Sequence, residues 1–216
     1  MRPMATGKAM ATGRASATDQ AMRIVRGLQW RVARRSRLLV VRCTCPDADL
    51  VCPDGFRLVR VRGNPSAQDR ALVDAAMRAV GESVDLVAPR FAHGDDFFGW
   101  QAGNEIASFG WVMYRDRRFG PIRVAEAPGR AFTFNFHTLN AYRGRGLYQD
   151  LLHAIRVSIG RDGMKEIVGD VDIRNGTSSR AIQRAGFAPL THVSYLTLLD
   201  RWELPLGRPL LDPDRL

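Results

Sequence analysis

Residues 140–152 read NAYRGRGLYQDLL, so two arginines and two glycines stand directly before an apolar run. From there the large aliphatic residues recur every four positions, at Leu147, Leu151, Ile155 and Ile159. This spacing places them on one face of a helix and predicts an amphipathic helix that ends near residue 163.

The glycines before this helix favour an anion-binding loop. A helix N-terminus has unsatisfied backbone N–H groups and a partial positive charge, and Gly144 and Gly146 let the backbone come close to a ligand. Arg143 and Arg145 would add charge-assisted hydrogen bonds at the rim. Such a loop suits a pyrophosphate; the alternative is an ordinary solvated basic turn.

The segments around the loop predict an α/β domain on a mixed sheet. The strand before it, residues 131–139, alternates strictly, with Phe132, Phe134 and Phe136 on one side and Thr133, Asn135 and His137 on the other. Other patterns predict strands over residues 56–62, 166–173 and 191–199, a hairpin over 96–114, and helices over 66–80 and 177–185.

The net charge of +10 is concentrated at the N-terminus. Residues 1–43 carry ten basic side chains and one acidic one, whereas the other 173 residues have a net charge of +1. A nearly neutral domain does not predict nucleic acid as its main partner.

Composition divides the chain into four parts. Residues 1–20 are predicted to be a disordered leader, residues 21–52 a basic arm with an amphipathic helix over 22–39, residues 53–202 the folded domain, and residues 203–216 a tail. A basic amphipathic helix suits contact with an anionic membrane surface; packing on its own domain and a transit peptide are the alternatives.

Membrane spans and metal sites are not expected from the sequence. No apolar run approaches the ~18 residues that a span needs, which predicts a cytoplasmic protein. The cysteines Cys43, Cys45 and Cys52 stand together with no histidine near them in the sequence. Three ligands fall short of the four that a zinc site normally uses, so we predict no metal.

Two blocks of sequence resemble a known family. The loop YRGRGLYQDLL, followed by Asn175 and then by AGF at residues 185–187, resembles the acyl-coenzyme A-dependent N-acyltransferases of the GNAT superfamily. Arg143 and Gly146 match the first and fourth positions of the Gln/Arg-x-x-Gly-x-Gly/Ala loop of that family, and Asn175, Gly186 and Phe187 match its second block. The resemblance implies a mixed, largely antiparallel central sheet, flanked by helices, whose fourth and fifth strands splay apart.

The resemblance also implies where acyl-coenzyme A would bind as co-substrate. Main-chain groups at the end of the fourth strand would pair with pantetheine, and the loop amides would hold the pyrophosphate. The positions implied are Thr138, Leu139, Asn140, Arg143, Gly144, Arg145, Gly146, Leu147, Tyr148 and Asn175.

This sequence departs from the family pattern at two positions. The sixth loop position, usually small, is Tyr148. Seven residues after Asn175, where many relatives carry a tyrosine that protonates the leaving thiolate, this chain has Ile182. The second departure puts the general acid in doubt.

Candidate catalytic residues are the polar groups near the strand ends. His137 is a candidate general base, with a structural histidine as the alternative, and Asn135 could orient substrate or water. Asp172 shares a strand face with Asp170. The two carboxylates could bind a cationic substrate or raise one another's pKa, or they could stand at an exposed strand end. The phenols available as acids are Tyr148 and Tyr195, each of which could equally be a packing residue.

We therefore expect an acyl-coenzyme A-dependent N-acetyltransferase or N-acyltransferase. The reaction would be direct attack by a primary amine of a small molecule, first of all an amino sugar or an amino-acid-like compound. The alternative is a coenzyme A-binding regulatory or sensor module without turnover, which Ile182 favours. A homodimer is left open.

Overall fold

A computed structural model describes residues 33–115, 117–119, 122–124, 126–198, 202–206 and 210–211. The predicted leader, the first part of the predicted basic helix and most of the predicted tail lie outside these residues.

The described chain forms eleven strands and four α-helices. The strands are β1 Ala33–Thr44, β2 Arg57–Val61, β3 Asp96–Ala102, β4 Glu105–Met113, β5 Arg117–Phe119, β6 Ile122–Val124, β7 Arg130–Thr138, β8 Glu166–Asp172, β9 Ala188–Leu198, β10 Trp202–Pro205 and β11 Leu210–Leu211. The helices are α1 Ala67–Ala79, α2 Val87–His93, α3 Leu147–Arg161 and α4 Gly176–Arg184, with short 3-10 turns at Val84–Leu86 and Asn140–Tyr142.

Eight strands form one sheet in the order β10-β9-β1-β8-β7-β4-β3-β2, and β11, β6 and β5 form a small second sheet. In the large sheet only β7 and β8 run parallel, and the other neighbours are antiparallel. The mixed, largely antiparallel sheet predicted from the sequence is therefore confirmed.

Each face of the large sheet carries its own apolar core. On one face α1 and α2 bury residues such as Met77 and Phe91 against the Phe97, Trp111 and Phe132 side chains of the sheet. On the other face, α3 and α4 cover a second cluster through the stripe predicted from the four-residue spacing and through the buried Ile182.

The N-terminal part of the sheet corrects the sequence interpretation. The helix predicted over residues 22–39 is wrong from Ala33 onward, because residues 33–44 form β1, which lies between β8 and β9. The burial of Ser36, Leu38 and Val40 alternates with the exposure of Arg35 and Arg37, which is the period of a strand and not of a helix.

The predicted domain boundaries change as a result. The sheet begins at Ala33 and not at residue 53, since β1 pairs with a neighbour on both sides. At the other end β10 crosses the predicted boundary at residue 202, because Trp202–Pro205 pairs with β9. The partners of β1 lie more than 120 residues away in the chain, and a local pattern does not reveal such partners.

Candidate active site

The strands β7 and β8 separate halfway along their length. Their pairing runs from Arg130 with Glu166 to Thr133 with Gly169. Within these two fully described strands no pair follows, although β7 continues to Thr138 and β8 to Asp172. The far half of β7 therefore has an edge that β8 does not cover, and a ligand with amide groups can pair with such an edge.

The loop after β7 has the geometry of an anion site. The backbone N–H of Leu139 donates to the carbonyl of Ala107 at 2.9 Å, which ties the loop to β4. Gly144 and Gly146 both have φ of 78°, a conformation that costs other residues roughly 1–2 kcal/mol. Gly146 is the N-cap of α3, so the first N–H groups of that helix face the exposed loop.

Two arginines frame this loop. The Arg143 Nε donates to the carbonyl of Thr138 at 3.2 Å, at the uncovered end of β7. The Arg145 guanidinium lies over the Tyr142 ring at 5.4 Å, and the Tyr142 hydroxyl donates to the Glu105 carboxylate at 2.6 Å. Positive charge thus lies beside the N-terminus of α3, where an anion is favoured.

A bulge in β7 decides which side chains face which helix layer. Asn135 has φ of 53°, the one positive value among the described non-glycine residues. Opposite it, Phe109 pairs with His137 and Trp111 with Phe134, so that Gly110 faces the two residues between them. At this point β7 has one residue more than β4. Every later side chain of β7 therefore lies on the opposite face of the sheet from the face that strict alternation predicts.

The strict alternation predicted for residues 131–139 is therefore wrong after Phe134. Phe136 packs in the α3 layer, with its ring centroid 5.1 Å from that of Tyr148. His137 instead lies 5.3 Å from Phe109, whose ring belongs to the α1 and α2 layer. Gly110 makes room for this change, since a Cβ atom there would lie 2.2 Å from the Phe136 ring.

The bulge brings one ring nitrogen of His137 close to two side-chain oxygen atoms. Its Nε2 lies 2.7 Å from Asn135 Oδ1 and 3.4 Å from Glu82 Oε1. Burial lowers the pKa of His137, Glu82 opposes that effect, and Arg90 and Arg143 add to it. The imidazole is therefore neutral at neutral pH and able to accept a proton.

The sequence interpretation did not identify Glu82 as a residue of the candidate site. It lies three residues after the end of α1 and 55 positions before His137, and no motif or spacing in the sequence links the two. Ser108 of β4 fixes the end of β7 that carries His137. Its Oγ donates to the His137 carbonyl at 3.1 Å and lies 2.9 Å from Thr138 Oγ1.

Several solved structures that are similar to this chain are GNAT-family acetyltransferases. No protein-family model matches the sequence, and no curated protein is significantly similar to it. A putative acetyltransferase of the GNAT family from Novosphingobium aromaticivorans superposes with a TM-score of 0.55 at 19% identity, covering 76% of this chain and 64% of that one. The chain has the GNAT fold.

Two further GNAT structures are similar over more of this chain. A GCN5-related N-acetyltransferase from Sphaerobacter thermophilus has a TM-score of 0.53 at 18% identity and covers 86% of this chain and 58% of that one. A tandem GNAT protein from the clavulanic acid biosynthesis pathway has a TM-score of 0.51 at 14% identity, with 89% and 62% covered. The chain spans less than two thirds of the length of each of these three proteins.

Within the GNAT fold, β7 and β8 are the splayed fourth and fifth strands that the resemblance implies. The position at which the resemblance implies a thiolate-protonating tyrosine is buried here, because Ile182 of α4 is 1% exposed and packs in the core between the helices and the sheet. Of the two phenols predicted for this role, Tyr148 has its pKa raised by burial and by Asp170. A phenol with a raised pKa gives up its proton less readily than an ordinary one.

Three other predicted site residues, Asp172, Tyr195 and Asn175, have structural surroundings of their own. Both oxygens of Asp172 accept hydrogen bonds from the Arg174 guanidinium, at 3.0 and 2.6 Å. Tyr195 is 7% exposed in the core on β9, which is three strands from β7 in the GNAT sheet, or about 14 Å at the usual spacing. Asn175 caps α4, since its Oδ1 accepts from the backbone N–H of Ser178 at 3.1 Å.

None of the described helices is both long and apolar enough to cross a membrane. In the same part of the chain, no three His, Cys, Asp or Glu side chains form a group that could hold a metal ion. The three cysteines, Cys43, Cys45 and Cys52, are free thiols.

Proposed function

We propose that this protein transfers an acetyl or longer acyl group from acyl-coenzyme A to a primary amine of a small molecule. The observation that carries the proposal is the uncovered half of β7, which leads directly into a glycine loop at the N-terminus of α3. In coenzyme A an amide-containing arm is joined to a pyrophosphate. The uncovered strand edge would pair with the arm, and the glycine loop next to it would bind the pyrophosphate.

The residues of the loop suit the phosphates. The main-chain N–H groups of residues 143–148 would bind the pyrophosphate, with Arg143 and Arg145 at the rim. Pantetheine would pair with the backbone of β7 beyond Thr133, where β8 has turned away. The thioester would then lie near the bulge at Asn135, at the end of the uncovered half that is farthest from the loop, within reach of the side of the sheet that carries His137.

The chemistry proposed is direct attack without a covalent enzyme intermediate. An amine with a pKa near 10 is mostly protonated at neutral pH, so a base must take up its proton. His137 accepts the first proton, and the neutral nitrogen forms a bond to the thioester carbon. The carbon–sulfur bond then breaks to release a thiolate, and the nitrogen loses its second proton to solvent. A backbone N–H at the uncovered edge of β7 would donate to the carbonyl oxygen.

The departing thiolate needs little help from a protein acid. A thiol has a pKa of about 8.5, so its thiolate is a tolerable leaving group near neutral pH. Tyr148 is a weaker acid than an ordinary phenol because burial and Asp170 raise its pKa. We therefore assign the final protonation to solvent and regard Tyr148 as a packing residue beside Phe136.

The second candidate is a module that binds coenzyme A and does not turn it over. The buried Ile182 at the position of the family's tyrosine favours it. Such a module would have the same coenzyme A-binding features as the proposed transferase and would differ from it only in the absence of acyl transfer.

Binding is tested by the thermal stabilisation that acetyl-coenzyme A gives to the wild type and to Gly146→Val. Valine is strained at φ of 78° by roughly 1–2 kcal/mol, so the empty loop of the variant should relax to another conformation. Coenzyme A would have to restore the strained conformation on binding, and we expect affinity to fall about tenfold. Gly63→Val is the matched control, because Gly63 also has positive φ (62°) and open space but follows the edge strand β2. Equal stabilisation of both variants would overturn the binding site.

Turnover is tested by release of free thiol from acetyl-coenzyme A with a panel of amines that includes amino sugars and amino acids. Thiol release that depends on the amine, with an acylated product of matching mass, supports the transferase. Stabilisation by coenzyme A without release across the panel supports the binding module.

The other sequence-based expectations stay predictions. These are contact between the basic arm and an anionic membrane, a homodimer, a cytoplasmic location, and an amino sugar or amino-acid-like acceptor.

A further inference from the structure

The segment after α1 holds Glu82 in a fixed position. The backbone N–H groups of Gly81 and Glu82 donate to the carbonyls of Arg78 and Met77, both at 3.0 Å, which closes the end of the helix. Gly81 takes φ of 77°, as such a helix end requires. Ser83 follows directly and caps the next turn through the N–H of Asp85.

The side chain of Glu82 reaches from this segment to the bulge of β7. Its Oε1 lies 3.4 Å from His137 Nε2, and the two side chains are 30% and 31% exposed. Asn135 Oδ1 lies 2.7 Å from the same ring nitrogen. Two oxygen acceptors on one ring nitrogen favour the tautomer that carries its hydrogen there.

We propose that Glu82 is a positioning residue for His137. Together with Asn135 it keeps the hydrogen on Nε2, so that Nδ1 is the atom that accepts the proton of the attacking amine. The inference rests on the proposed acyl transfer and deepens it, because it assigns the reacting atom of the base.

The charges around His137 support this assignment. Arg90 from α2 and Arg143 from the loop after β7 disfavour the protonated imidazole, whereas Glu82 favours it. Phe109 from β4 contributes an uncharged ring. Glu82 is therefore the one acidic group among these neighbours, and it preserves basicity that burial would otherwise remove.

A direct test uses nitrogen-15 NMR of the histidine rings, which reports tautomer and pKa without any turnover. In the wild type we expect the Nε2–H form of His137 at neutral pH. In Glu82→Gln we expect a lower pKa for His137 and a smaller share of that tautomer, since a neutral amide replaces the carboxylate. Glu82→Asp keeps the charge on a shorter side chain and should give intermediate values.

Asp85→Asn is the matched control. It removes the same charge three residues further along the same segment, where Asp85 is exposed and bonded to Ser83. The NMR signals of His137 should stay as in the wild type. If Glu82→Gln leaves the pKa and tautomer of His137 unchanged in a folded protein, the inference is overturned.

Kinetics then separate positioning from a merely structural role. The neutral imidazole is the active form, so activity falls as acid protonates it. A lower pKa in Glu82→Gln should therefore move the acidic limb of the kcat/KM profile to lower pH. General bases contribute typically 10²–10⁴-fold, and we expect a part of this to be lost, about tenfold in kcat, with an unchanged KM for acetyl-coenzyme A.

The outcomes of the two proposals are distinguishable. A response of His137 to Glu82 by NMR, combined with no acylation of any amine, supports the pairing and overturns its use in catalysis together with the transferase. Turnover in the wild type that Glu82→Gln leaves unchanged in both kcat and pH profile overturns the positioning role alone.

Discussion

The two halves of β7 differ although they belong to one continuous strand. Residues 130–133 pair with β8, and residues 131–134 are buried. Residues 135–138 have lost β8, contain the bulge at Asn135 and are half-buried. The contrast shows how a regular, buried strand segment can hold an irregular segment next to it in place. Polar groups of the irregular segment are then accessible to a ligand only a few residues away from the buried core.

The sharpest test of the irregular half is His137→Gln, for which we expect the largest effect. If His137 is the base, kcat should fall about 10²–10⁴-fold while the protein stays folded. Thiol release at saturating acetyl-coenzyme A measures it. His192→Gln, on the exposed part of β9, is the control and should retain wild-type kcat.

The paired half should instead respond in stability. Phe132 is 1% exposed, and removing a buried Phe side chain costs about 3–5 kcal/mol. We therefore expect Phe132→Ala to lower the free energy of unfolding in urea by that amount. Phe136→Ala, in the half-buried part of the strand, should cost less, and the reverse order would contradict the division of β7.

The bulge itself is tested by Gly110→Ala. The added methyl would lie 2.2 Å from the Phe136 ring, and overpacking of this kind costs about 1–3 kcal/mol. Urea denaturation measures the loss of stability. In the double variant with Phe136→Leu the smaller side chain should relieve part of the clash, so strictly additive losses would argue against this contact.

The smallest effect is expected for Tyr148→Phe. Because burial and Asp170 raise the pKa of Tyr148, its hydroxyl should contribute little as an acid, and kcat should change by less than about tenfold. A general acid would contribute about 10²–10⁴-fold. A loss of that size in the thiol-release assay would return Tyr148 to the catalytic residues.

The parts of the site that were predictable are those with a local cause. The four-residue spacing from Leu147 predicted α3, and the glycines before it predicted a loop whose backbone can come close to a ligand. Gly144 and Gly146 both have left-handed backbone in that loop. The Asp172 side chain illustrates the opposite case. The strand pattern suggested a carboxylate for substrate, whereas in the folded chain both of its oxygens accept from Arg174.

The sequence by itself determined the glycine loop, the helix after it and the type of sheet, because helical periodicity and backbone freedom act over a few neighbouring residues. Only the tertiary structure decided that residues 33–44 form a central strand, that the bulge turns His137 towards α1, and that Glu82 meets it there. Each of these depends on contacts between segments far apart in the chain. Their free energy comes from packing and pairing of the whole sheet, which no local pattern records.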